Sequence, residues 1–211
     1  MRKRYKMGLI IIITLMILTV LVGIIKIFLP AEEKTPINTT NIISNIADYN
    51  YTLDDRDSDY MKETFKELES ILNSSEINYE EYAKALTKLF AIDFYTLNNK
   101  INKYDIGSLE YILNDKIEMF KNKAMDSIYE DIIDNTYKNR IQNLPEVTNV
   151  SILNFEETKY NLNKEEKEAY KLTFNIAYKE DLGYDKEGTI YLVKSNNKLE
   201  IVSYKPNIEN E

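Results

Sequence analysis

The stretch Met7 to Leu29 (MGLIIIITLMILTVLVGIIKIFL) constrains this chain more than any other. Nineteen residues from Met7 to Ile25 carry no charge; Lys26 interrupts, and Ile27, Phe28 and Leu29 resume. A helix of that length covers roughly 30–35 Å, about one bilayer hydrocarbon core. The sequence therefore predicts a transmembrane helix over 7–29. Arg2, Lys3, Arg4 and Lys6 stand directly before it, and positive charge stays cytoplasmic, which puts residues 1–6 inside and the remainder outside. A cleaved secretory signal is the competing reading. The apolar run is longer than a usual signal core, and Leu29-Pro30-Ala31 is a poor cleavage site.

Beyond the run, residues 30–41 (PAEEKTPINTTN) hold two prolines and small polar residues, and read as a stalk. Residues 42–211 are long enough for one domain. Past Lys26 there are 22 basic against 35 acidic residues, a net charge of −13. Such a body repels phosphate backbones, so nucleic acid is not an expected partner. The chain has no cysteine and no histidine. It lacks the thiols of disulfide, zinc and redox chemistry and the usual acid–base group near neutral pH. No cofactor is expected, and no catalytic motif is present.

Periodicity predicts helices first. Asp57 and Ser58 are N-cap candidates for a helix over 59–72, with Met61, Phe65, Leu68 and Leu72 as its apolar stripe. Asn78 with Glu81 reads as a capping box, and Ile77 with Tyr82 as a staple, for a helix over 79–101. A turn at 105–108, a short helical piece over 109–113 and a helix from Asn114 to Ile133 follow. The period then changes to two. Residues 147–160 read as a strand with a bulge, and 169–179 alternates cleanly through Tyr170, Leu172, Phe174, Ile176 and Tyr178. Glu165, Glu166 and Glu168 read as a solvated turn. Residues 187–194 and 199–204 are two more strands around the turn Ser195–Lys198. The expected fold is α+β: a transmembrane helix, then helices packed on a curved antiparallel sheet.

That order resembles the nuclear-transport-factor-2-like cone. The stretch Leu89-Phe90-Ala91-Ile92-Asp93-Phe94-Tyr95-Thr96-Leu97, then Asp105-Ile106-Gly107, is similar to uncharacterised membrane-anchored proteins of Gram-positive bacteria. More distantly, a single membrane anchor before such a domain is similar to the extracytoplasmic assembly proteins of conjugation and type IV secretion machines. The resemblance implies a bacterial envelope protein that binds other proteins. Members of that cone also include enzymes and ligand binders, so a ligand pocket is the alternative.

Two places invite chemistry. Asp54, Asp55, Asp57 and Asp59 suggest a calcium loop, but counted from Asp55 the sixth position is Tyr60 and the twelfth Lys66, where Gly and Glu are required. Acids ahead of a helix serve its dipole. Asp93 is sharper: it lies four residues from both Leu89 and Leu97, inside an apolar face. A carboxylate there needs a partner. Arg56 and Arg140 are the arginines of the outer domain, and their planar fork suits a half-buried carboxylate. The expectation is that Asp93 faces the helix–sheet interior and pairs with one of them, or with a tyrosine hydroxyl or a backbone N–H.

Overall fold

The computed structural model describes residue 7, residues 14–20 and residues 40–207. The chain divides into two compact units, Met1–Pro36 and Ile37–Glu211. In the first unit the described residues are helical, and 14–20 span only about 10 Å at helical rise. The expected fold class is corrected here. Among the described residues no helix is long and apolar enough to cross a membrane, and the elements they form are α+β. Most of the stretch 7–29, and residues 30–39 of the expected stalk, lie outside the described residues.

The second unit opens with a two-stranded antiparallel ribbon, β1 (Ile42–Ile46) and β2 (Tyr51–Asp54). Asn50 makes its turn with a left-handed backbone, φ 53°, a conformation asparagine tolerates. Helix α1 (Asp59–Leu72) starts where Ser58 Oγ accepts the Met61 N–H. Its stripe of Met61, Phe65, Leu68 and Leu72 is buried. Helix α2 (Tyr79–Tyr95) is capped by Asn78 Oδ1, which accepts from Glu80 and Glu81 N–H. Tyr82, at the staple position, is fully buried.

Two helices end earlier than their patterns predict. Helix α2 stops at Tyr95 rather than running to Ile101, because the next turn of backbone is claimed elsewhere: Leu97 and Asn98 N–H both donate to Pro145 O. After 3-10 turns at Leu109–Tyr111 and Asn114–Lys116, α3 covers only Ile117–Met125. Beyond it the chain turns so that Tyr129 can be buried, its hydroxyl donating to Phe94 O and accepting from Gly107 N–H.

The C-terminal part is an antiparallel meander in the order β3-β4-β5-β6: Val147–Leu162, Glu165–Tyr178, Glu187–Ser195 and Lys198–Pro206. Strand β3 carries two irregularities, at Val147/Asn149 and Ile152/Asn154. The expected turn at Glu165, Glu166 and Glu168 is strand instead. The turn is Asn163-Lys164, with φ 53° and 70°, the doubly left-handed geometry of a tight hairpin. Helix α1 packs on α2, and α2 on β3 and β4. Their shared core joins Phe65, Leu86, Phe90, Leu172, Phe174 and Ile190, all at most 1% exposed. Each such side chain contributes about 1.5–3 kcal/mol on burial.

Candidate functional site

The end of α2 carries Asp93 toward the 105–110 loop rather than into the helix–sheet core. There it lines a cleft of about 270 Å³ whose walls hold five carboxylates, of Asp54, Asp57, Asp93, Asp105 and Glu110, against Arg56 and Lys100. The partners of Asp93 are not the expected arginines. Lys100 Nζ donates to Oδ1 at 2.5 Å, and the Ser108 N–H donates to Oδ2. Ser108 Oγ spans Phe90 O and the same carboxylate. Lys100 is only 4% exposed. Burial alone would lower its pKa, but Asp93 opposite raises it, so the ammonium stays charged.

Both arginines instead hold the chain that delivers Lys100. Arg56 Nη1 donates to Asn99 O at 2.9 Å and to Asp105 at 2.6 Å, and Nη2 to Asp54 at 3.2 Å. Arg140 Nη1 donates to Lys100 O at 2.9 Å and Nη2 to Asn98 O at 2.7 Å. The two guanidinium forks thus fasten consecutive carbonyls, 98 to 100, from two sides. Burial works to raise the Asp105 carboxyl, but Arg56 and the Ile101 N–H hold it below its ordinary value. Glu110 is tied to Thr52 through the backbone N–H and Oγ1 (2.7 Å), while burial pushes its carboxyl up.

Asp57 behaves differently. Its Oδ2 accepts the Asp54 N–H at 2.7 Å; among the described residues no lysine or arginine forms an ion pair with it, though the Lys100 charge works to lower its pKa. Burial, then the nearby Asp93 and Asp54 charges, push its carboxyl up to about 7. The acid series at 54–59 forms no calcium loop: among the described residues no group of three acids could hold a metal ion. Asp55 instead accepts from Asn41 N–H and Nδ2, and Ser58 caps α1.

A second depression had no counterpart in the sequence pattern. It lies between the end of α2, α3, the 183–185 loop and the end of β6, and encloses about 780 Å³. Aromatic and small apolar groups floor it. Phe94 and Phe120 stand 5.1 Å apart, Tyr204 lies 5.9 Å from Phe94, and Ala124 and Ile128 complete the α3 side. The Tyr95 and Tyr204 hydroxyls bond each other, and burial pushes both well above the ordinary phenol value. They are neutral at physiological pH. The charged side chains Lys123, Asp126, Asp185 and Lys205 also line it. A volume of this size matches small-molecule and peptide side-chain pockets. No sequence signal announces this depression, because Phe94, Phe120 and Tyr204 come from three separate elements.

No known protein-family model matches this chain, and no characterised protein and no solved structure matches it either.

Proposed function

We propose that residues 37–211 form a protein-interaction domain of a bacterial envelope assembly, which takes an apolar segment of a partner protein into the depression floored by Phe94, Phe120 and Tyr204. The single observation that carries this reading is that depression: about 780 Å³ of largely apolar wall, ringed with charges of both signs. Apolar centre with polar rim is the anatomy of a protein-binding patch. The resemblance to cone-domain assembly proteins points the same way, and the −13 charge beyond Lys26 disfavours nucleic acid.

The location belongs to the same proposal. It rests on the basic residues Arg2, Lys3, Arg4 and Lys6 ahead of the uncharged run 7–25, which favour contact with a membrane through residues 7–29 and a domain on its outer side. Protease added to intact cells should then remove the domain; its full protection would overturn this location.

A second reading is favoured by Asp57, an acid poised at about pH 7 in the smaller cleft: a polar ligand or a proton-transfer step beside Asp93. Photo-crosslinking separates the two. A benzophenone side chain at exposed Ser127, beside the depression, should give a discrete protein adduct in intact cells. The same group at Glu76, exposed in the α1–α2 loop, should not. Adducts no stronger at Ser127 than at Glu76 would overturn the protein-interaction reading.

A further inference from the structure

Strand β3 is the open edge of the four-stranded sheet. Its first part is covered: the Tyr60 hydroxyl of α1 accepts the Val150 N–H at 3.0 Å. Past that point, among the described residues, no hydrogen bond from outside β4 reaches the main chain of residues 151–162. The hairpin also outreaches its neighbours. Strand β5 pairs with β4 only over Ala169–Asn175, so Lys159–Leu162 and Glu165–Glu168 pair with each other alone. A long, unpaired edge is a template for another strand.

The register fixes which residues present that edge. Ile176 N–H donates to Lys186 O, on the β5 side, so the even-numbered residues of β4 aim at β5 and Thr173, Lys171 and Ala169 aim at β3. Their partners are Asn154, Glu156 and Thr158. The main-chain groups of Phe155, Glu157, Lys159 and Asn161 therefore point outward.

We propose that this edge pairs with the same edge of a second copy of the chain, antiparallel, about a two-fold axis at Thr158. Alternation allows an axis only at a residue, not between residues. Centred on Glu157 or Lys159, the edge sets like charge against like charge. Centred on Thr158 it sets Glu157 against Lys159 of the other copy, twice, and Thr158 against Thr158, both favourable cross-strand pairs. The isologous contact closes and joins the two sheets into one of eight strands. The same operator brings each copy's Asn163-Lys164 turn opposite Ile152-Leu153 of the other. Leu153 is 55% exposed and lines a groove of about 580 Å³ with Glu67, Glu80, Glu81, Lys84 and Lys88. Those five charges leave one net negative, to which Lys164 of the second copy brings a positive.

The absence of native cysteine makes the test clean. Thr158→Cys in the full chain, under mild oxidation, should give a disulfide-linked homodimer, because directly opposed non-hydrogen-bonded residues lie about 4.5 Å apart. Ser75→Cys, an exposed loop position, reports collisional or aggregative linkage. Glu157→Lys should weaken the homodimer about tenfold by lowering two pair energies at once. Adding Lys159→Glu should restore it. Thr158→Cys linkage no greater than for Ser75→Cys, linkage of Thr158→Cys to a different protein, or a double charge swap no better than Glu157→Lys alone would each overturn the proposal.

Discussion

Asp93 and Lys100 are seven residues apart in the chain and 2.5 Å apart in space. Had α2 continued to Ile101, the two positions would have been separated by about 10 Å along one helix face. The end of α2 at Tyr95 is what lets the chain fold back and lay a nearly buried ammonium on the carboxylate. Removing one member of such a pair leaves the other charged and buried. Asp93→Ala should therefore destabilise the domain by about 3 kcal/mol in urea unfolding. Asp93→Asn should cost less, since its amide oxygen still accepts the Ser108 N–H. Unchanged stability of Asp93→Ala would show that the carboxylate is held for a ligand rather than for the fold.

Gly107 covers this pair. A Cβ there would lie 2.5 Å from Asp93 O and 2.7 Å from Asp93 Oδ1. The first of these is backbone and cannot step aside. Gly107→Ala should cost at least about 2 kcal/mol, as overpacking of a closed site does, and calorimetry of the variant beside Asp93→Ala gives the comparison. An unperturbed melting temperature would mean that the loop shifts freely and the site is open.

The helices and strands were legible because their signals are local: Ser58 and Asn78 carry capping chemistry, and the alternation from Tyr170 to Tyr178 can be read from one strand alone. What was not legible depends on distant groups. The sequence does not mark Lys100, because the apolar period runs on to Ile101 and only the bonds of Leu97 and Asn98 to Pro145 O end the helix first. Arg56 and Arg140 stand out in the sequence as valuable donors, yet their forks go to carbonyls 98–100, and main-chain acceptors leave no mark in a sequence. The glutamates at 165–168 suggested a turn because charge usually marks one. Here the glutamates are exposed on a hairpin arm, with ion pairs such as Lys159–Glu166 across it, while Tyr160 and Leu162 of the facing strand pack against Ala169, Val193 and Val202.

Asp57 sets the sign of a pH dependence. Its folded-state carboxyl titrates at about 7, above its ordinary value, so between about pH 4 and 7 the folded chain binds the proton that the unfolded chain has released. Stability from this group is greatest at low pH and is lost as pH rises through 7, by at most about 1.4 kcal/mol per pH unit. Asp105, held below its ordinary value, acts oppositely and at lower pH. Melting temperatures across pH 5–8 should fall less for Asp57→Asn than for the native chain, with the variant the more stable at pH 8. Parallel curves would mean that Asp57 is not buried as described.

The unit Ile37–Glu211 should fold without the residues before it. Its capped helices bury their stripes against β3 and β4 within the unit, and every core side chain from Ile46 to Val202 lies inside it. About 175 residues is also ample for one cooperative core. A chain beginning at Ile37 should therefore give a single urea transition that coincides by far-ultraviolet circular dichroism and by tyrosine fluorescence, the test of two-state unfolding. The fluorescence probe is well placed, since Tyr51, Tyr82, Tyr95, Tyr111 and Tyr129 are all fully buried. Two separated transitions would divide the ribbon and helices from the sheet, and the absence of any cooperative transition would show that the fold depends on residues 1–36 or on a partner.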